Sequence, residues 1–263
     1  MHKVFPNNIF QALLLLFIGI VATTPILFIK ERFYKDASFE ITSGIMFIVL
    51  SIVIICVARA VNSSRKITTT YGFAIPARLS AVVALTVAAV LIFQIGVNVP
   101  LSKMLGFYLN GKANYSNPFD QLGLFIGAIL LAPLFEELIF RGIILKGFLT
   151  KYTPAIAIMI SAVLFSAVHA QPVQLLGALF FGVLSGWLYY KTQSLGLCIL
   201  LHFLSNLSSQ LIAYTLFKAS SSDHLLKPEV YGHYTYFVIG ISLLFICYFI
   251  FKVSDRFKTL QTR

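Results

Sequence analysis

Two adjacent carboxylates and an arginine, Glu136, Glu137 and Arg141, sit in the stretch Pro133-Leu-Phe-Glu-Glu-Leu-Ile-Phe-Arg141, which is otherwise apolar. A carboxylate in hydrocarbon costs roughly 2.5–3.5 kcal/mol even on a lenient insertion scale, so an adjacent pair implies partners. Glu137 and Arg141 have the i, i+4 spacing at which a carboxylate and a guanidinium meet on one helix face. Glu136 projects about 100° away around the same helix, free for other work while its neighbour is neutralised. Two later apolar stretches add polar groups at the same spacing. Phe165-Ser-Ala-Val-His169 pairs a ring with an imidazole, and His202-Phe-Leu-Ser-Asn206 pairs an imidazole with a carboxamide.

These residue types can deprotonate a water and stabilise the oxyanion formed when it attacks an amide. Glu136 would be the base, His169 would help hold the water, and His202 and Asn206 would donate to the developing charge. Glu137 and Arg141 read as a supporting pair. The same Glu136, His169 and His202 are also the ligand types of a divalent metal such as zinc. The residues leave both chemistries open, and the first needs no cofactor.

The elements that must position these groups are membrane helices. The chain has 263 residues, 59% hydrophobic and 11% charged, against about 25% charged in an ordinary soluble domain. Windows of about 20 apolar residues span a bilayer, and eight candidates run Ile9 to Ile29, Ile41 to Ala58, Leu79 to Leu101, Leu122 to Leu145, Pro154 to His169, Val173 to Tyr190, Leu195 to Phe217 and Tyr236 to Phe251. The expected fold is all-α, a polytopic transmembrane helical bundle of about eight spans forming one integral membrane domain over residues 1–263. The first window lacks a small-x-small cleavage site before Lys30 and reads as a helix rather than a leader. Cys56, Cys198 and Cys247 fall in apolar windows, as buried small hydrophobes rather than a disulfide framework.

The net charge of +11 is scattered through short loops, which argues against a nucleic-acid partner and for a role in orientation. Twelve Lys and Arg fall on the side holding both termini and seven on the other, with Arg141 set aside. That excess places the termini in the cytoplasm, in a multi-pass protein of the cell membrane. Asn98 and Pro100 read as a locally satisfied polar group and a helix stop. Asn110 to Asp120 reads as a loop, with Asp120 capping the fourth helix. Gly123 with Gly127, and Ala178 with Gly182 and Gly186, open flat faces for close helix packing. Asp223, His224, Glu229 and His233 lie in a polar loop and read as solvated residues.

Glu-Glu-x-x-x-Arg, Phe-x-x-x-His and His-x-x-x-Asn, in that order on successive apolar segments, resemble the CPBP family of intramembrane proteases, which includes type II CAAX prenyl endopeptidases and bacterial Abi proteins. The resemblance covers about residues 120–217. It implies that Glu136 corresponds to the catalytic glutamate, His169 to the histidine that helps activate water, and His202 and Asn206 to the oxyanion pair. Glu137 and Arg141 match the remaining motif positions. The implied activity is cleavage of a membrane-associated peptide or protein substrate. Prenylated CAAX proteins serve only part of the family, and bacterial relatives are associated with bacteriocin maturation or self-immunity. Family names speak of metalloproteases, while the glutamate mechanism does without a metal; the latter is favoured here.

Two other classes fit the same polar set. A transporter could use intramembrane Glu and His as a relay, although no inverted repeat is visible, and a non-enzymatic scaffold could retain the motif. Depth counting poses a geometric problem. At about 1.5 Å per residue, His202 and His169 fall toward opposite ends of their helices. If they share a site, some helices must be short, tilted or broken, with Pro172 and Gly196 as candidates.

Overall fold

The computed structural model describes residues 4–35, 39–75, 79–104, 126–169, 172–219 and 231–261. The expected cap at Asp120, Gly123, and the loop residues Asp223, His224 and Glu229 lie outside these. Eight helical stretches follow in chain order: α1 (Ile9–Phe33), α2 (Phe39–Ser64), α3 (residues 80–104), α4 (residues 127–148), α5 (Pro154–Ala167), α6 (Pro172–Thr192), α7 (Leu195–Ala219) and α8 (Thr235–Gln261). The bundle is helical as expected, and the helices occupy the predicted windows. The span count is corrected. Among the described residues, four stretches are long and apolar enough to cross a membrane: Ile9–Phe33, Ile41–Ser64, Ser80–Leu101 and Gly232–Asp255. Pro154–Ala167 and Leu195–Leu211 are shorter apolar helices. The chain is an integral, multi-pass membrane protein, and none of the three polar motifs lies in the four long spans.

Burial follows from helical periodicity. On α1 the buried residues are Ala12, Leu15, Gly19 and Thr23, one stripe along the helix, and it packs on α2. A Cβ on Gly19 would lie 2.8 Å from Ile54, so the missing side chain sets that close approach. The remaining face exposes Phe10, Phe17 and Phe28, and α8 exposes Tyr236 and Leu244. Surfaces this apolar suit lipid contact. Cys198 is buried, but Cys56 and Cys247 are exposed, contrary to expectation, because they sit on the outward faces of α2 and α8.

Two prolines shape the long helices in the same way. Proline offers no N–H, and its ring collides with the carbonyl four residues earlier, so a helix that keeps going bends or widens there; α1 passes Pro25 without a widened turn, whereas α3 and α4 widen. In α3 the widened turn is Gln94–Asn98, where Val99 N–H donates to Gln94 O, five residues back. The next donor in that register would be Pro100. The carbonyl it leaves, Ile95 O, accepts from Tyr231 Oη at 3.0 Å. In α4 the widened turn is Gly127–Leu131, where Ala132 N–H donates to Gly127 O. Pro133 comes next, and the carbonyl it leaves, Ala128 O, accepts from Asn206 Nδ2 at 3.0 Å. A second widened stretch, Leu138–Leu145, contains no proline, and its local sequence gives no reason for it. Asn98 is satisfied locally, donating to Gln94 Oε1 at 3.1 Å.

The small-residue face of α6 packs α6 against α5. A Cβ on Gly182 would lie 3.0 Å from Ala162 Cα, and one on Gly186 3.2 Å from Ile158. Gly127 does not act this way, since a Cβ there would meet nothing within 4 Å among the described residues. Gly196 is not a helix break either. α7 runs on from Leu195, and Gly196 admits Phe73 O, which an added Cβ would overlap. Ser194 caps α7 by accepting from Leu197 N–H at 3.1 Å and donates to Ala74 O at 2.6 Å, tying the α2–α3 connection to the start of α7.

The end of α2 is closed by a Schellman motif. Ile67 N–H donates to Asn62 O at 2.9 Å and Lys66 N–H to Ser63 O at 2.9 Å. Lys66 occupies the left-handed position at φ 57°, where glycine is usual and a side chain costs roughly 1–2 kcal/mol.

Candidate functional site

Glu137 is the hub of the polar cluster, and its side chain is fully buried. Its Oε2 lies 3.0 Å from Arg141 Nε, the predicted i, i+4 pair, and accepts from Ser185 Oγ at 3.0 Å. Its Oε1 lies 2.8 Å from His202 Nδ1. A carboxylate that already receives a hydroxyl proton and faces a guanidinium acts as acceptor toward the imidazole, so Nδ1 carries the hydrogen. Nε2 is thereby left for the opposite side of the ring, where Glu136 Oε2 stands 3.9 Å away. The two glutamates thus bracket His202, one on each nitrogen. Their side-by-side positions in α4 make this possible, because adjacent helical residues point about 100° apart.

Arg141 is 1% exposed. Beyond Glu137 it donates through Nη2 to Gly182 O at 3.4 Å, and its guanidinium carbon lies 4.5 Å from the Phe165 ring centroid. The ring's negative face and the Glu137 carboxylate together offset the cost of burying a cation here. Gly182 has two roles: its missing side chain admits α5, and its carbonyl reaches Arg141.

His169 lies just beyond the short α5. Its Nδ1 sits 2.8 Å from Phe165 O, so the imidazole folds back on the last helical turn. The Phe165 ring stands between the two histidines, with centroids 4.9 Å from His169 and 5.8 Å from His202. The depth problem is solved by the shortness of α5. Its 14 residues span about 21 Å, well under a bilayer's hydrocarbon thickness, so His169 need not reach the far surface. Pro172 contributes by opening α6 immediately afterwards.

Asn206 is on the same helix as His202, and the Nδ2 donation to Ala128 O described above ties α7 to the widened turn of α4. The structure therefore brings Arg141, His169 and His202 around the Phe165 ring, with Glu137 and Glu136 on the two sides of His202 and Asn206 one turn further along α7. Of the Glu136, His169 and His202 set considered for zinc, no group fit to hold a metal forms among the described residues, nor does any other trio of His, Cys, Asp or Glu. His202 Nδ1 faces Glu137 and His169 Nδ1 faces a backbone carbonyl, an arrangement that orients each ring and leaves its Nε2 open.

Sequence reasoning missed Ser185, the third partner of Glu137. It lies on the small-residue face of α6, three residues after Gly182 and 1% exposed. A hydroxyl on a face otherwise made of Ala and Gly is the available signal, and spacing alone reads that face as packing.

The family model described as Type II CAAX prenyl endopeptidase Rce1-like matches residues 118–208. The match takes in all three motifs and agrees with the CPBP resemblance they carry. No curated protein and no solved structure matches the chain.

Proposed function

We propose that the protein is an intramembrane endopeptidase that hydrolyses a peptide bond of a membrane-associated substrate, with Glu136 activating the water. One observation carries this reading: His202 is locked by Glu137 through Nδ1 while its Nε2 faces the Glu136 carboxylate. Fixed partners of this kind supply preorganised charge where a reaction needs it. Glu136 is the less buried of the two acids, its side chain 17% exposed against 0% for Glu137. The outer acid is the one water can reach, and the inner one holds the frame.

In the proposed reaction Glu136 takes a proton from water as the oxygen attacks the scissile carbonyl carbon. His169 holds that water. The carbonyl oxygen becomes an oxyanion, met by His202 Nε2–H and the Asn206 amide. Because Glu137 accepts from Nδ1, donation from Nε2 requires the imidazolium, with a proton on both nitrogens. Its positive charge and that of Arg141 balance the two carboxylates. Collapse of the tetrahedral species breaks the C–N bond, and the proton on Glu136 passes to the leaving amine. The family description supports a prenylated CAAX peptide as the first substrate to try. The charge excess supports placement in the cell membrane with both termini cytoplasmic.

The test uses the purified full chain in detergent and a quenched-fluorescent farnesylated CAAX peptide. Wild type should cleave it with divalent metals removed, and Glu136→Ala should not, while inserting and folding normally. Full activity of Glu136→Ala, or a requirement for zinc in wild type, would overturn the glutamate mechanism.

A further inference from the structure

A second constellation lies away from the glutamates, where α2 leaves the membrane. A cleft of about 520 Å³ is lined by Arg59, Ser63, Lys66, Thr68 and Thr69, with Asn62 and Ile67 completing it and no carboxylate among the lining residues. Arg59 and Ser63, four residues apart, share one face of the last turns of α2, and Lys66 follows at the left-handed residue just past its end. The chain then reverses through the Schellman motif and brings the Thr68 and Thr69 side of the cleft back against that face.

The walls are held from several directions. Asn62 accepts from Phe5 N–H at 2.8 Å and donates to Phe5 O at 2.9 Å, so it braces the cleft and does not serve as a ligand. Lys146 Nζ donates to Thr70 O, fixing the returning segment onto α4. Arg65 is turned to the Phe5 ring, 5.5 Å from its centroid, and takes no part in the lining. Lys66 is the unusual feature. Glycine would close this helix without strain, yet a lysine holds the left-handed position, and its side chain lines the cleft. Strained backbone retained at a charged concavity points to binding.

We infer that this cleft binds a phosphate ester, with Arg59 and Lys66 pairing to the phosphate oxygens and the Ser63, Thr68 and Thr69 hydroxyls donating to them. A guanidinium, an ammonium and hydroxyls form a donor set for a compact anion. The candidate span Ile41–Ser64 ends at this cleft, which sets it at the depth of lipid headgroups, where anionic lipids attract basic side chains. The phosphate can therefore come from an anionic phospholipid or from solution.

Thermal unfolding of the full chain in neutral detergent distinguishes these sources, with phosphatidylglycerol, phosphatidylcholine or inorganic phosphate titrated in. Phosphatidylglycerol should raise Tm more than phosphatidylcholine. The apparent affinity should fall roughly 30-fold in Arg59→Gln/Lys66→Gln, the factor expected for two basic residues at an anionic surface. Lys66→Gly should weaken binding while keeping the helix end intact, because glycine suits the left-handed position; this separates loss of the site from loss of folding. If inorganic phosphate raises Tm with the same dependence on Arg59 and Lys66, the site stands and its ligand is a soluble phosphate. Equal stabilisation by both lipids, or a phosphatidylglycerol effect that persists in both variants, overturns the inference. None of these residues belongs to the glutamate cluster, so the outcome is independent of the protease test.

Discussion

Replacing the inner acid and the outer acid one at a time should separate structure from chemistry. Glu137→Gln keeps the shape but removes the charge facing Arg141, whose Nε is 3.0 Å away in a fully buried pair. Breaking a buried ion pair from one side costs about 3–5 kcal/mol, because the remaining charge has neither water nor counter-charge. The carboxamide introduced by this substitution also has a single acceptor oxygen, whereas the carboxylate uses one oxygen for Ser185 and the other for His202. Against a total stability of about 5–15 kcal/mol for a typical domain, this is a large fraction, on the order of 10 °C in Tm. Glu136→Gln differs. Its contact with His202 is 3.9 Å and its side chain is partly exposed, so stability should change by less than about 1 kcal/mol. Loss of the base should lower cleavage by roughly 10²–10⁴-fold. The assay pairs thermal unfolding in detergent with hydrolysis of the farnesylated peptide. Glu137→Gln unfolding within a degree or two of wild type, or Glu136→Gln costing as much stability as Glu137→Gln, would refute the division of labour.

Two further outcomes follow from the same geometry. Ser185→Ala removes a hydrogen bond to a buried carboxylate, worth about 1.5–3 kcal/mol; because Glu137 sets the His202 ring, kcat should fall while KM holds, and an unchanged kcat in steady-state kinetics would take Ser185 out of the site. Asn206→Ala leaves Ala128 O without its donor and should cost about 1–3 kcal/mol. In a Pro133→Ala background the helix regains a backbone N–H for that carbonyl, so the Asn206→Ala cost should shrink; strict additivity of the two unfolding free energies would rule out the proline account.

The motif spacing already contained the Glu137–Arg141 pair, since four residues along a helix bring two side chains together whatever surrounds them. Hydropathy likewise located the helices, because bilayer and bundle interior both select apolar runs, but not all their ends: α2 and α8 run on through polar residues to Ser64 and Gln261, past the predicted Ala58 and Phe251. What it could not supply was which runs are long enough to cross. Residues 154–169 carry only Ser161, Ser166 and His169 as polar side chains, yet α5 stops at Ala167, and that shortness is what lets His169 join His202.

Contacts between helices were decided by tertiary packing alone. The bond from Glu137 to His202 closes 65 positions in the chain, and that from Asn206 to Ala128 closes 78, separations at which spacing carries no distance information. Ser185 became a partner of Glu137 because α6 packs against α4 as well as α5 there: a Cβ on the adjacent Gly186 would meet Ile158 of α5 at 3.2 Å and Leu145 of α4 at 3.5 Å. The residue types set which chemistry was available. That Glu137 is fully buried and Glu136 partly exposed arose from how far into the bundle each side of α4 is packed.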